Sequence, residues 1–159
     1  MRIHVRPALP ADLAFIASGN AAMALETEHK ILDPDTVHAG VAAALEDPSR
    51  GRYYVAEIDG EVVGQLMYTF EWSDWRNGMF WWIQSVYVLP QARRRGVFRA
   101  LYEHIEALSK STPGVCGLRL YVELDNVRAQ QTYLGCGMQD AGYRIMEVDY
   151  SKATARMKR

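Results

Sequence analysis

The chain has 159 residues, 49% of them hydrophobic, enough for a single domain with a buried core. Its formal net charge of −1 excludes a global attraction to nucleic acid or to an anionic membrane. No apolar run approaches the ~18–20 residues of a spanning helix, and Met1-Arg2-Ile3-His4-Val5-Arg6 lacks the apolar stretch of a signal peptide. Two cysteines, Cys116 and Cys136, are too few for a disulfide framework, so a cytoplasmic protein with reduced thiols is expected. The four histidines show no paired ligand spacing, and no metal site is expected.

Ile3 to Arg6 reads as a strand that Pro7 ends. Pro10 to His29 reads as a helix carrying Leu13, Ile16 and Ala17 at helical spacing, with Gly19 a candidate break. Asp33-Pro34 supplies an N-cap and a first-turn proline for a second helix through Val37, Val41 and Leu45, which the turn Asp47 to Gly51 closes. Arg52 to Ile58 and Glu61 to Phe70 flank Asp59-Gly60, the residue pair a type I′ hairpin turn favours. Trp72 to Gly78 reads as a loop and Met79 to Leu89 as a strand. Val97, Ala100, Leu101, His104, Ile105 and Leu108 form the inward stripe of a helix that Thr112-Pro113-Gly114 ends. Leu118 to Glu123 is a strand pattern, Val127 to Leu134 a helix, and Gly142 to Tyr150 a final strand. A single domain over 1–150 is expected, followed by a basic tail over 151–159 that reads as a loose terminus.

Two stretches carry chemistry. The first runs Val86-Tyr87-Val88-Leu89-Pro90-Gln91-Ala92-Arg93-Arg94-Arg95-Gly96-Val97-Phe98-Arg99, from a β-branched strand through an arginine cluster to a glycine that opens a helix. A helix start leaves N–H groups unpaired and carries the positive end of the macrodipole, so it suits an anion. No Lys-Ser or Lys-Thr follows the glycine, which excludes a nucleotide P-loop. In the second, Asn126, Ala129 and Tyr133 share one face of a helix that Asp125 or Asn126 caps and Gly135 or Gly137 stops.

Together these stretches resemble the two signatures of the GNAT superfamily of N-acetyltransferases. Val86, Val88, Pro90, Arg93 and Gly96 match the acyl-CoA-binding motif, and Asn126, Ala129 and Tyr133 match the second signature, with Met138 at its phenylalanine position. Phe98 stands where the family usually has Gly or Ala, so its ring must point away from the pyrophosphate. The resemblance covers nearly the whole chain. It implies an α/β (α+β) fold: a mixed, mostly antiparallel twisted sheet of six to seven strands with about four helices, its central strands splayed. It also implies acetyl-CoA as co-substrate, with the arm in the splay and the pyrophosphate on Arg93, Arg94, Arg95, Gly96, Val97, Phe98 and Arg99, and with Val86, Tyr87, Val88, Asn126 and Tyr133 completing the site.

The implied reaction moves an acetyl group from the thioester to a primary amine, expected to be a small molecule, by direct attack in a ternary complex. An aliphatic amine of pKa ~10.4 must first lose a proton, and the departing thiolate benefits from a donor. By resemblance Tyr133 is that donor and the Val88 amide stabilises the oxyanion. Many relatives carry a glutamate two positions before the first valine; here the position holds Gln84, a carboxamide that takes no proton. Glu26, Glu28, Glu71, Asp74 and Glu123 remain as direct bases or as ends of a water relay. Glu71, Trp72, Asp74 and Trp75 bring acids and indoles together, suited to a cationic amine by charge and cation–π contact, or else to packing and a homodimer interface. Protein lysine or N-terminal acetylation, and a non-catalytic acyl-CoA-binding module, are the alternatives.

Overall fold

The computed structural model describes residues 1–151 and, as backbone only, Thr154–Arg156. Seven strands and four helices follow in the order β1 (Ile3–Pro7), α1 (Leu13–Glu28), β2 (Lys30–Leu32), α2 (Pro34–Glu46), β3 (Arg52–Ile58), β4 (Glu61–Ser73), β5 (Gly78–Val88), α3 (Val97–Ser111), β6 (Val115–Arg119), α4 (Val127–Gly135) and β7 (Thr154–Arg156). The main sheet runs β1-β3-β4-β5-β6, antiparallel except for the parallel β5–β6 pair, and β2 pairs with β7 apart from it. This is the mixed, mostly antiparallel architecture expected.

Strand alternation sends side chains to two cores. Tyr54, Ala56 and Ile58 of β3 face the cluster built around Leu66, Leu101 and Ile105, so α3 covers that face. Tyr53 and Val55 face Ile16, Val41 and Ala44, so α1 and α2 cover the other. Ile16, Leu66, Leu101 and Ile105 are fully buried, each contributing about 1.5–3 kcal/mol. Local chemistry sets the element ends: Asp33 caps α2 by accepting from the Thr36 amide at 3.0 Å, and Asp59 and Gly60 both take positive φ, as a type I′ turn requires.

The β5–β6 ladder is short. It ends at Trp82↔Arg119, while β5 continues to Val88. Beyond Trp82 the β6-side edge of β5 carries no strand, which is the splay. On its other side the register of β5 against β4 slips by one residue between Met67↔Gln84 and Gln65↔Tyr87, leaving a bulge at which Ser85 has φ 51°. Gln65, fully buried, holds that bulge: its Nε2 donates to the Ser85 carbonyl at 3.0 Å and to Asn20 Oδ1 at 2.7 Å.

Five expectations are corrected. Gly19 does not break α1; a Cβ there would lie 2.4 Å from Gln65 Oε1, so the glycine lets the helix close onto the strand. β4 extends to Ser73, which shortens the loop before β5 to residues 74–77. The strand expected over Leu118–Glu123 begins earlier and ends at Arg119, because the chain leaves the sheet toward α4. Gly142 to Tyr150 forms no strand: the chain past Arg119 offers it no paired edge, and Tyr143, Met146, Val148 and Tyr150 stand exposed. Most of the expected basic tail lies outside the described residues; within it, Thr154–Arg156 runs antiparallel to β2 rather than loose.

An exposed helical Gly→Ala change stabilises by about 0.5–1 kcal/mol. Gly19→Ala should instead destabilise, by about 1–3 kcal/mol, because Gln65 and the Tyr87 ring must move. Gly40→Ala, whose Cβ meets nothing within 4 Å, is the control. Urea unfolding that stabilised Gly19→Ala as much as Gly40→Ala would refute the close approach.

Candidate active site

The site is organised by the C-terminal half of β5. The Leu89 amide donates to the Val63 carbonyl at 2.9 Å, so strand alternation turns the Val88 amide and carbonyl to the opposite, unpaired edge. That edge leads through Pro90–Ala92, a single 3-10 turn, to Gly96 at φ 82°, the N-cap of α3. No side chain caps α3, so the first-turn amides of Gly96, Val97, Phe98 and Arg99 lack intrahelical partners. A Cβ on Gly96 would meet nothing within 4 Å, so the amides open onto free space. These features suit a pyrophosphate: fixed N–H donors and a helix dipole at the end of a strand with a free edge. The Phe98 ring turns away from them, lying 6.0 Å from the Tyr102 ring and 5.6 Å from that of Tyr133.

The expected cofactor residues differ in what they touch. Arg94, at φ 62°, and Arg95 are exposed beside the turn, with Arg95 reaching the Met1 sulfur. Arg93 is already engaged: Nε donates to the Val88 carbonyl at 3.0 Å, Nη2 to Glu26 Oε2 at 2.8 Å, and the guanidinium lies over the Tyr87 ring. Arg99 pairs with Glu103 along the helix, and Val97 is buried in the core. Val86 packs on the α3-side core and Tyr87 is buried. Asn126 spends its side chain capping α4, accepting from the Ala129 amide at 3.1 Å.

Tyr133 projects from α4 edge-on to Phe98, and its hydroxyl makes no hydrogen bond among the described residues. Burial, and secondarily Cys136, raise its pKa, which keeps the phenol protonated and able to donate. Gln84 donates to Thr69 Oγ1.

The acidic candidates separate into three places. Glu26, expected at the acceptor, is bound to Arg93 and accepts from the Tyr87 hydroxyl at 3.4 Å, so opposite charge fixes it to the turn. Glu71 accepts from Arg119 at 2.6 Å and stands opposite Phe80, four residues from Gln84, about 13 Å along β5. With Trp72, Asp74, Trp75, Arg76 and Tyr143 they line a cleft of about 160 Å³ at the hairpin end, remote from the splay. Trp72 and Trp75 are exposed there, whereas Trp81 stacks on Tyr68 at 4.1 Å inside the core. Only Glu28 reaches a cavity beside the bulge, where it pairs with Lys30 at 3.3 Å.

That cavity, about 340 Å³ between α1, β2 and α2, contains residues that sequence reasoning missed. Asn20, Tyr53 and Ser85 supply its polar groups; Asn20 Nδ2 donates to the Tyr53 hydroxyl at 3.4 Å. Burial raises the Tyr53 pKa, against the opposing hydrogen bonds of Asn20 and Ser85, so its hydroxyl stays neutral. The available signal was Gln65, a lone amide in the apolar run Val62-Val63-Gly64-Gln65-Leu66.

Residues 21–138 match the acetyltransferase (GNAT) family. The chain belongs to that family, whose co-substrate is acetyl-CoA. A possible acetyltransferase from Clostridium difficile 630 is 43% identical and superposes with a TM-score of 0.87 over 95% of this chain and 99% of that one. An uncharacterized N-acetyltransferase from Methanocaldococcus jannaschii is 34% identical over 88 residues, which are 55% of this chain and 53% of that protein. HC-toxin synthetase from Cochliobolus carbonum is 37% identical over 67 residues, 41% of this chain and 1% of the synthetase. The chain thus spans about half the length of one curated relative and a small part of the other. Among the described residues no helix is long and apolar enough to cross a membrane, and no cluster of three or more metal-ligating side chains occurs.

The N-cap glycine separates charge from shape. Gly96→Asn tolerates positive φ and should bind CoA moderately less well than wild type. Gly96→Asp, nearly isosteric, sets a carboxylate against the phosphate and should bind roughly tenfold more weakly than Gly96→Asn. Equal affinities of the two variants by calorimetry would remove the turn from the anion site.

Proposed function

We propose that this chain transfers an acetyl group from acetyl-CoA to the primary amine of a small molecule, by direct attack in a ternary complex. The observation that carries the reading is the opened edge of β5: the ladder to β6 stops at Trp82, the Val88 amide faces the gap, and the uncapped start of α3 lies at its end. The unpaired amides of α3 with Arg94 and Arg95 would hold the pyrophosphate, and the Val88 amide would donate to the thioester oxygen as it gains negative charge.

The acceptor enters from the opposite face, through the cavity beside Ser85. Its proton leaves by water toward Glu28, the acid at that cavity, since Gln84 is an amide held by Thr69. The amine nitrogen bonds to the carbonyl carbon, the carbon–sulfur bond breaks, and Tyr133 donates its phenolic proton to the sulfur. The raised pKa of Tyr133 supports the last step, because the donor stays protonated through neutral and mildly basic pH. The exposed pair Trp72 and Trp75 supports a homodimer as part of the same reading, and a monomer mass by light scattering at all concentrations would exclude it.

Tyr133→Phe keeps the ring against Phe98 and removes only the donor. With chemistry rate-limiting, kcat should fall about 10²–10⁴-fold while acetyl-CoA affinity holds. Turnover within about twofold of wild type, with chemistry still limiting, would exclude the acid role.

A further inference from the structure

The geometry points to an acceptor that is an apolar monoamine, an amine nitrogen on an aliphatic or aromatic body without a second charge. This rests on the reading of the cavity beside Ser85 as the acceptor's entry. The polar groups of that cavity are concentrated where β3 and the β5 bulge meet α1, with the Tyr53 hydroxyl, Asn20 and Ser85 together. Apart from them and the paired Glu28 and Lys30 the walls are carbon: Met23 of α1, Leu32 of β2, and Val37, Gly40 and Val41 of α2. Such a division, an uncharged polar end and a largely apolar sleeve within a cavity of about 340 Å³, orients a ligand with a single polar head.

Charge points the same way. Glu28 and Lys30 are the charged residues lining the cavity, and they pair with each other at 3.3 Å. A polycationic amine needs additional acids for its further ammonium groups, and the nearby Glu26 is already bound to Arg93. Gly40 lies on α2 in the lining of the cavity, and a Cβ built on it meets no atom within 4 Å, so a larger side chain there can be added without displacing the protein and would narrow the sleeve.

The test uses the full chain with acetyl-CoA and the series butylamine, hexylamine and octylamine, beside spermidine and an alanine-initiated peptide. kcat/KM should rise about threefold per added methylene until the sleeve is full. Spermidine and the peptide should lie at least about tenfold below hexylamine. Gly40→Leu should remove the gain from hexylamine to octylamine while leaving CoA affinity within about twofold, and α2 should lose no stability because Leu is a better helix former than Gly. A flat chain-length profile, or preference for spermidine or the peptide, overturns the apolar-monoamine assignment and leaves acetyl transfer standing. Calorimetric titration of octylamine into the CoA-bound protein keeps the two readings apart. Binding that Gly40→Leu weakens, without any turnover, sustains the sleeve and overturns the transfer chemistry. Neither binding nor turnover overturns the sleeve itself.

Discussion

The two bonds from the buried amide of Gln65 are the constraint on which the site depends. One holds the carbonyl of Ser85 in the β5 bulge, and the other ties β4, which carries Gln65, to Asn20 of α1. The bulge shifts the ladder by one residue and sets which peptide groups of β5 face β4 and which face the open edge. Gly19 makes the arrangement sterically possible, since any side chain there would collide with that amide. Gln65 Oε1 is buried and has no hydrogen-bond partner among the described residues.

Around that point the molecule separates two kinds of surface. The α3 face meets the sheet at a helix start with unpaired amides and exposed arginines. The α1/α2 face presents a largely carbon-lined cavity whose charges are internally paired. β5 joins the two, with Ser85 lining the cavity and Val88 on the edge that leads to α3, three residues apart. The Arg93–Glu26 pair links the faces a second time, from the turn after β5 to the end of α1.

Those parts of the fold whose causes are local were legible in the sequence. Asp33-Pro34, Asp59-Gly60 and the apolar stripe of α3 each specify their conformation within a few residues, and each is where the pattern placed it. The turn that opens α3 at Gly96 was legible for the same reason. Long-range relations were not. Gly19 looked like a helix break because the residue that requires it, Gln65, is 46 positions away in sequence. Gly142 to Tyr150 has an alternating pattern, but a strand needs an edge, and only the three-dimensional course of the chain past Arg119 reveals that none is paired with it. Glu26 and Glu71 looked like free acids until the fold brought Arg93 and Arg119 against them. Asn20, Tyr53 and Ser85 carry no motif, and come together only when three elements pack.

The pairing of β2 with β7 joins Lys30 to Arg156, closing a loop of nearly the whole chain. Every other ladder among the described residues joins strands much nearer in sequence, so this contact has the highest closure entropy of them. Contacts of that kind form late, after hairpins and helices have already reduced the search. Because Lys30 and Leu32 belong to the cavity wall, that wall closes last during folding, whereas the turn into α3 assembles from neighbours in sequence. A nascent or partly unfolded chain would therefore acquire the turn into α3 before it acquires the cavity.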